Sequence, residues 1–207
     1  MPTHLLLSYH PLASTPNGRK IAARFGRDLF EDGSPRTEPN LKHEIPSVSS
    51  LCRGKRVVTS VEQGSMLVYV TVKRRYFGSV ESVQFLTAIL EVARVLEDHK
   101  QALNHYAEEG LEVPRNVVLV PQLPANESTF PYDRILRRYV TPIESEETYQ
   151  KRGALYGKYI LCRAKYLNLT DPPKVYLRDP YATQYGKEID REEVNEFLRT
   201  ATANQDQ

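Results

Sequence analysis

The sequence predicts an α+β domain in which a curled mixed sheet or small β-barrel is flanked by helices. Three observations lead to this class: several short apolar runs that fit strands, two segments with helix caps, and 14 prolines that argue against a helical bundle. The chain has 207 residues, enough for one large core. We therefore expect a single domain over residues 1–207.

The N-terminal part predicts one strand followed by a long loop. Leu5–Tyr9 is an apolar run between Pro2 and Pro11, which is typical of a short buried strand. Residues 11–47 are rich in Pro, Gly, Asn, Asp and Ser, and their Asn-Gly and Asp-Gly pairs indicate turns. The RKIAARFG stretch within them fits either a short helical turn or an irregular segment. We expect a long loop that is ordered by its apolar residues.

The central part predicts further strands and one helix. Val57–Val61 fits a short strand, and Met66–Val72 is apolar enough for a strand buried on both faces. The run VQFLTAILEVARVLED fits helical and strand spacing equally well. Asp98 decides between them, because an N-cap at this position predicts a strand that ends near Leu96 and a new helix that stops at Gly110.

The last part predicts two strands and a terminal helix. The NVVLV run between Pro114 and Pro121 fits a strand, and YDRILRRYV, within the polar residues 121–150, fits a short helix. ALYGKYILCRAKYLNL is typical of a long strand. DREEVNEFLRTA predicts a helix over about 190–201, with Asp190 as its cap and two glutamates in the first turn.

Composition and motifs exclude several classes of function. The net charge of +2 is too balanced for a protein that coats DNA non-specifically. The sequence has neither zinc-ligand spacing nor a phosphate-binding glycine loop, so we predict no metal and no cofactor. Cys52 and Cys162 fit free thiols in a reducing compartment, although a disulfide between them stays open. Without a long apolar run or a signal peptide, we expect a cytoplasmic protein, or a nuclear one in a eukaryote, with no membrane partner.

The order of the segments resembles the PUA-like superfamily, which includes the EVE, ASCH and YTH domains. A first strand, LLLSY, is followed by DGSPRTEPN, IPSVSSLCRG, EQGSMLVYVTVKRRY and LTAILEVARVLEDHKQALNHY. The similarity covers about residues 3–167 and is closest to nucleotide-modification-associated domains. Gln63–Ser65 stands where these families have a Gly-Asp turn. The sequence contains no tryptophan, so an aromatic cage for a modified base would use Tyr or Phe.

The resemblance implies a small PUA-like barrel whose cleft accepts a single-stranded or flipped nucleotide of DNA or RNA. Such a cleft needs aromatic faces for stacking, cations for phosphate and fixed polar groups for the base edge. We expect each role to be filled as follows: phosphate contacts by Arg36, Arg53, Arg74 and Arg75 with Lys73 beside them, stacking by Tyr9 and Tyr76, and base contacts by Ser8 and Ser34.

Other interpretations of the same residues stay open. Each basic cluster also fits a solvated turn, and each tyrosine also fits the core. An RNA- or nucleotide-processing enzyme of the ASCH-like type is a second hypothesis, with Lys73 or His10 as acid–base groups. A protein-interaction domain is a third hypothesis, in which a tyrosine-rich surface binds the partner: Tyr149, Tyr156, Tyr159 and Tyr166. The sequence does not predict the oligomeric state.

Overall fold

The computed structural model describes residues 2–34, 36–49, 55–118, 151, 154, 157–179 and 186–203. Its strands are β1 (His4–Tyr9), β2 (Ser47–Ser49), β3 (Met66–Thr71), β4 (Gln84–Leu96), β5 (Tyr159–Leu167), β6 (Lys174–Val175) and β7 (Lys187–Ile189). The helices with described bounds are a 3-10 helix (Leu12–Ser14), α1 (Pro16–Phe25), α2 (Lys55–Ser60), α3 (His99–Glu108) and α4 (Arg191–Ala203).

The strands form one mixed sheet in the order β2-β5-β4-β3-β1-β7, with β6 attached to the start of β4. β1 and β3 are parallel, and the other pairs are antiparallel. The sheet curls into a half-barrel. The predicted α+β class with a curled mixed sheet is therefore confirmed.

The parallel pairing of β1 with β3 brings the chain after both strands to one edge of the sheet. Tyr9 is in register with Thr71, and the backbone N–H of Val72 donates to the Tyr9 carbonyl over 3.0 Å. We call the residues that follow β1 and β3 at this edge the parallel-strand edge. It is the edge at which the sequence places most of its candidate binding residues.

The ambiguous run VQFLTAILEVARVLED is a strand, as predicted. β4 covers Gln84–Leu96 and pairs with β3, β5 and β6. The Asp98 carboxylate then accepts a hydrogen bond of 2.7 Å from the Gln101 N–H and caps α3. Gly110 follows the helix with a φ of 67°, a left-handed conformation that glycine adopts at little cost. Both ends of the predicted helix are confirmed.

Both faces of the sheet are buried, which explains why its central strands are apolar without alternation. Phe30, Leu41 and α2 cover one face, whereas α4 covers the other through Val194 and Ala201. α3 packs on the far ends of β4 and β5 through Ala102 and Tyr106.

The helix α1 corrects the prediction of a long loop over residues 11–47. Thr15 caps the helix by accepting a 2.9 Å hydrogen bond from the Gly18 N–H, Pro16 occupies the first turn, and Gly26 ends it at a φ of 60°. All three are helix signals, but the many turn residues on either side obscured them. The rest of this segment is an ordered loop, as expected.

The predicted strand at Val57–Val61 is wrong, because Lys55–Ser60 is the helix α2. Val57, Val58 and Val61 are buried, and their spacing puts them on one side of a helical turn. Residues 116–118 of the predicted NVVLV strand are not part of a strand. Residues 119 and 120 and the predicted helix in YDRILRRYV lie outside the described residues.

The terminal helix is confirmed and begins with a capping box. Asp190 accepts a 2.8 Å hydrogen bond from the Glu193 N–H, and the Glu193 carboxylate accepts a 3.0 Å bond from the Asp190 N–H. β2, β6 and β7 were not predicted, because strands of two or three residues carry too few positions for periodicity. No helix in the described part of the chain is long and apolar enough to cross a bilayer.

Candidate functional site

A cleft of about 410 Å³ lies between α1, the loop over residues 27–43 and the segment after α3. This volume is within the range of small-molecule sites. The cleft is open to solvent on one side and combines polar and apolar walls. Its lining comprises Ile21, Phe25, Arg27, Glu31, Ser34, Thr37, Asn40, Lys42, His43, Glu112, Val113, Pro114 and Arg115.

Two cations of the cleft are held in place by carboxylates. The Nε and Nη2 of Arg27 donate to one oxygen of Glu31 over 2.8 and 2.6 Å. Lys42 Nζ lies 2.9 Å from Asp28 and 3.3 Å from the other oxygen of Glu31. Because Glu31 is nearly buried, this four-residue arrangement is more fixed than a surface ion pair. Arg27 and Lys42 are therefore pre-positioned at the cleft wall.

Two more guanidinium groups belong to the site: Arg115 lines the cleft, and Arg36 is buried against the Arg115 backbone. Arg36 is 1% exposed, and its Nη1 donates to the Arg115 carbonyl over 2.9 Å. Burial lowers the pKa of Arg115, and the positive charges of Arg27 and Arg36 lower it further. The described structure thus gathers three guanidinium groups around one cleft. Glu31 and Glu112 also line the cleft, so these guanidinium groups and two carboxylates together set its potential.

Asp32 fixes the loop that carries these residues. Its carboxylate accepts hydrogen bonds from the Ser34 N–H at 2.7 Å, from the Ser34 hydroxyl, and from the Glu38 N–H at 3.0 Å. Burial raises the pKa of Asp32 to about 6, although these hydrogen bonds oppose the shift. Ser34 therefore holds the turn together and also faces the cleft.

Glu38 anchors the same loop to the sheet. Its two carboxyl oxygens interact with the Ser49 N–H at 3.0 Å and the Ser49 hydroxyl at 2.8 Å. Burial raises the pKa of Glu38 to about 8, and the bonds from Ser49 oppose this. Neither Asp32 nor Glu38 lines the cleft, so these carboxyl groups support the site rather than face a ligand.

A buried polar cluster continues from Glu38 below the cleft. The Tyr159 hydroxyl lies 2.7 Å from the Ser47 hydroxyl and 2.6 Å from Asn116 Oδ1. Asn116 directly follows Arg115, and its side-chain amide also donates to the Ser47 carbonyl over 3.4 Å. This cluster fixes the segment after α3 against β2 and β5, and thereby fixes the wall to which Arg115 belongs.

The rim of the cleft on α1 is basic and aromatic. Arg24 lies over the ring of Phe25 with 5.5 Å between the guanidinium carbon and the ring centroid. Phe25 is 42% exposed and lines the cleft. Lys20 is exposed on the same helix. A part-exposed aromatic ring beside cations is typical of surfaces that stack a nucleobase, and here Arg24 already lies over the ring.

The predicted stacking residues lie in the core. Tyr9 is 2% exposed and its hydroxyl donates to the Phe30 carbonyl, while burial raises its pKa well above the ordinary value. Tyr76 is 1% exposed, donates to the Val72 carbonyl over 2.7 Å, and has a pKa raised to about 12 by burial. Neither ring offers an open face for a base. Ser8 is likewise buried at 1%.

The predicted cations divide between two places. Lys73, Arg74 and Arg75 are exposed at the parallel-strand edge, where Arg74 Nη1 donates to the Ser14 carbonyl over 3.3 Å. Arg36 is buried behind the cleft. Arg53 lies outside the described residues.

The loop after α1, which carries Ser34 and Arg36, contacts the parallel-strand edge. The Gly33 N–H donates to the His10 carbonyl over 2.9 Å, so the Ser34 turn adjoins the parallel-strand edge. Ser34 lines the cleft, and Arg36 supports it from behind. Lys73, Arg74 and Arg75 are absent from its lining. The structure therefore brings Ser34 and Arg36 to one site and leaves the 73–75 cluster at another.

The residues proposed for the alternative functions do not converge on the cleft. Lys73 and His10 are exposed but do not line it. Tyr159 and Tyr166 are 0% and 6% exposed, so they belong to the core rather than to a partner surface. Tyr149 and Tyr156 lie outside the described residues.

Sequence reasoning missed Phe25, Arg27, Lys42 and Arg115. A signal was present in RFGRD, residues 24–28, which combines arginines with an aromatic residue as the KRRYF run does. Arg115 carried no signal, because a lone arginine between Pro114 and Asn116 does not reveal what it will face.

Among the described residues, no group of three or more His, Cys, Asp or Glu side chains is arranged to hold a metal ion. Comparison of the chain with models of known protein families finds no match, and neither does comparison with curated proteins or with solved structures.

Proposed function

We propose that this protein is a binding module for nucleic acid or a nucleotide, modified or not, and that the basic-aromatic cleft is its binding site. The observation that carries the proposal is the convergence of Arg27, Arg36 and Arg115 on one cleft with Phe25 at its rim. Cations and an aromatic face within one site match the two chemical parts of a nucleotide.

The phosphate part is supported by the electrostatics of the cleft. The positive charges of Arg27 and Arg36 contribute to the lowered pKa of Arg115, and an anion beside Arg115 relieves this repulsion. A planar guanidinium also matches the oxygens of a phosphate in a bidentate geometry. Arg27 and Arg115 line the cleft and are assigned to direct contact, while Arg36 is assigned to the supporting charge.

Binding of the base is supported by residues at the rim and the wall of the cleft. Phe25 offers a stacking face, and a stacked base contributes about 1–3 kcal/mol. Asn40 provides an amide group at the wall for the edge of the base, whereas the Ser34 hydroxyl and both ring nitrogens of His43 already form hydrogen bonds within the protein. Stacking tolerates every base, so selectivity falls first to Asn40.

The proposal includes membership of the PUA-like superfamily, closest to the nucleotide-modification-associated domains. The curled α+β sheet, the turn before β3 and the passage from β4 into α3 support it. In this proposal Phe25 stacks the base in place of Tyr9 and Tyr76.

The test is a titration of short single-stranded oligonucleotides at low salt, followed by fluorescence anisotropy. We expect Arg115→Gln to weaken binding about tenfold or more, because a charge-assisted hydrogen bond is lost. Arg163→Gln is the matched control, since Arg163 is exposed on β5 and away from the cleft. The control should change affinity by less than about twofold.

Two results would contradict the proposal. The first is the absence of binding by the wild-type protein at low salt, where phosphate contacts are strongest. The second is an equal loss of affinity in Arg115→Gln and Arg163→Gln, because that would indicate attraction by overall charge without a specific site.

A further inference from the structure

The loop between β3 and β4 has surface features that the cleft does not use. We call Lys73, Arg74, Arg75 and Phe77 the hairpin platform. All four are exposed, and Phe77 is 53% exposed. The loop over residues 73–82 contains a single acidic residue, Glu81. The platform therefore combines exposed cations with an exposed aromatic ring in one loop.

Phe77 has an unusual backbone for its type. Its φ is 53°, in the left-handed region that bulky residues rarely adopt, and Gly78 follows at 79°. Glycine or asparagine would adopt this turn at lower cost. A large apolar side chain that is half exposed in a costly conformation is not explained by folding alone.

The turn holds the ring in a defined position. Arg74 and Val83 exchange two backbone hydrogen bonds of 3.1 and 2.8 Å, and the Ser79 N–H donates to the Tyr76 carbonyl over 2.9 Å. The ring of Phe77 meets that of Phe30 edge to face, with 6.2 Å between centroids. Phe77 is thus held by the turn and by Phe30, while 53% of the residue stays exposed and leaves surface for stacking.

The charges beside the ring are available to a ligand. Arg74 is directed by its hydrogen bond to the Ser14 carbonyl. Lys73 and Arg75 form no hydrogen bond or ion pair with any residue in the described part of the chain. Two exposed cations and an exposed ring within residues 73–77 suit the phosphates and one base of a single strand.

We propose that the hairpin platform is a second binding surface and that the ligand is consequently a single strand, not a free nucleotide. Phe77 stacks one base of the strand, and Lys73 and Arg75 contact the adjacent phosphates. This inference rests on the proposed function, in which the cleft holds another nucleotide of the same strand. Phe30 supports Phe77 while the next residue, Glu31, lines the cleft, so both surfaces are built on one loop.

The test compares two probes, a labelled single-stranded oligonucleotide of about ten nucleotides and the four mononucleotides. Phe77→Asn removes the ring and suits the left-handed turn, so the variant should remain folded. We expect this change to weaken oligonucleotide binding about tenfold or more and to leave mononucleotide binding unchanged. Phe77→Tyr keeps a ring and should bind the oligonucleotide within about twofold of the wild type.

The outcomes separate the two proposals. If Arg115→Gln weakens oligonucleotide binding and Phe77→Asn does not, the hairpin platform is overturned and the cleft stands. If the wild type binds neither probe, both are overturned. Phe77→Asn could also weaken the binding of both probes equally without changing the unfolding midpoint. That result would overturn the platform as well, because the substitution would then act through the cleft.

A third probe distinguishes nucleic acid from a lipid surface. Vesicles that contain phosphatidylserine present anionic charge and an apolar interior to Phe77 and its neighbour Val80, which is 84% exposed. We expect no difference in vesicle binding between the wild type and Phe77→Asn. A loss of vesicle binding in this variant, with unchanged oligonucleotide affinity, would assign the loop to membranes and overturn the inference.

Discussion

At the scale of single residues, Glu38 determines how pH acts on the loop that forms the cleft. It is 7% exposed and interacts with both the backbone and the hydroxyl of Ser49. Burial raises its pKa from 4.5 to about 8, so the folded protein binds the proton more tightly than the unfolded chain does. The stabilisation is complete below the unfolded pKa and is lost as the pH rises through the folded one.

We therefore expect the free energy of unfolding to fall between about pH 4.5 and pH 8 in the wild type relative to Glu38→Gln. Each pKa unit corresponds to about 1.4 kcal/mol, so the difference is of the order of 5 kcal/mol. Glutamine can bond to Ser49 without carrying a charge. Urea denaturation at several pH values measures the free energy of unfolding of both proteins.

Comparing the wild type with Glu38→Gln cancels the contributions that other titrating groups make to the pH dependence of the free energy of unfolding. Burial lowers the pKa of His99 from 6.5 to about 4, which makes stability rise with pH over that interval in both proteins. Glu62→Gln, at an exposed position, is the control and should follow the wild-type curve. Parallel curves for the wild type and Glu38→Gln would show that Glu38 is not the buried acid.

The residue scale also shows why side-chain roles were hard to predict. Tyr9 and Tyr76 stand at strand ends beside polar residues, a pattern shared by pocket aromatics and by core aromatics with a hydrogen-bonded hydroxyl. Their burial depends on Phe30, which is distant from Tyr76 in sequence and lies 6.4 Å from its ring. Sequence position alone does not reveal such a neighbour. Ser34 was identified because its turn chemistry is local.

At the scale of elements, α1 is positioned by a close approach of its backbone to the preceding 3-10 helix. A Cβ atom added at Gly18 would lie 2.1 Å from the Leu12 carbonyl oxygen, which is well inside contact distance. Glycine is therefore required here by packing. Since Ile21 and Phe25 of the same helix line the cleft, this contact also sets the position of one cleft wall.

Gly18→Ala should destabilise the protein by about 2 kcal/mol, because the helix must move away from Leu12. Alanine normally stabilises a helix by about 1 kcal/mol relative to glycine, so the expected sign is the reverse of the intrinsic preference. Ala23→Gly, on the exposed side of α1, is the control and should cost about 1 kcal/mol. Thermal unfolding followed by circular dichroism measures both, and a stabilised Gly18→Ala would contradict the packing argument.

The elements that were predicted correctly are those with strong local signals. Asp98 and Asp190 cap their helices as the sequence indicates, and β3 and β4 are long enough for their apolar character to be decisive. α2 was mistaken for a strand because a short run of valines has a high strand propensity, which tertiary packing overrode. β7 depends on pairing with β1, and no local sequence pattern indicates this pairing.

At the scale of the whole molecule, one sheet carries the main hydrophobic clusters on its two faces. Leu5 and Leu7 of β1 belong to one cluster and Leu6 to the other. In β4, Leu90 belongs to the first cluster and Ile89 to the second. Neighbouring residues of the same strand thus belong to both clusters. Because the clusters share their strands, neither can unfold without disrupting the other.

This sharing leads us to expect a single cooperative unfolding transition, as the prediction of one domain over residues 1–207 requires. The chain has 13 tyrosines and no tryptophan, so tyrosine fluorescence reports on tertiary packing, including Tyr69 and Tyr106 in different clusters. Circular dichroism reports on the sheet and helices. The two signals should give coincident transitions in urea with the same midpoint.

Tyr106→Phe should lower the fluorescence amplitude without separating the transitions, because α3 packs on the ends of β4 and β5. Two resolved transitions would show that the helix layer around α3 unfolds independently of the sheet, and residues 1–207 would then contain more than one cooperative unit.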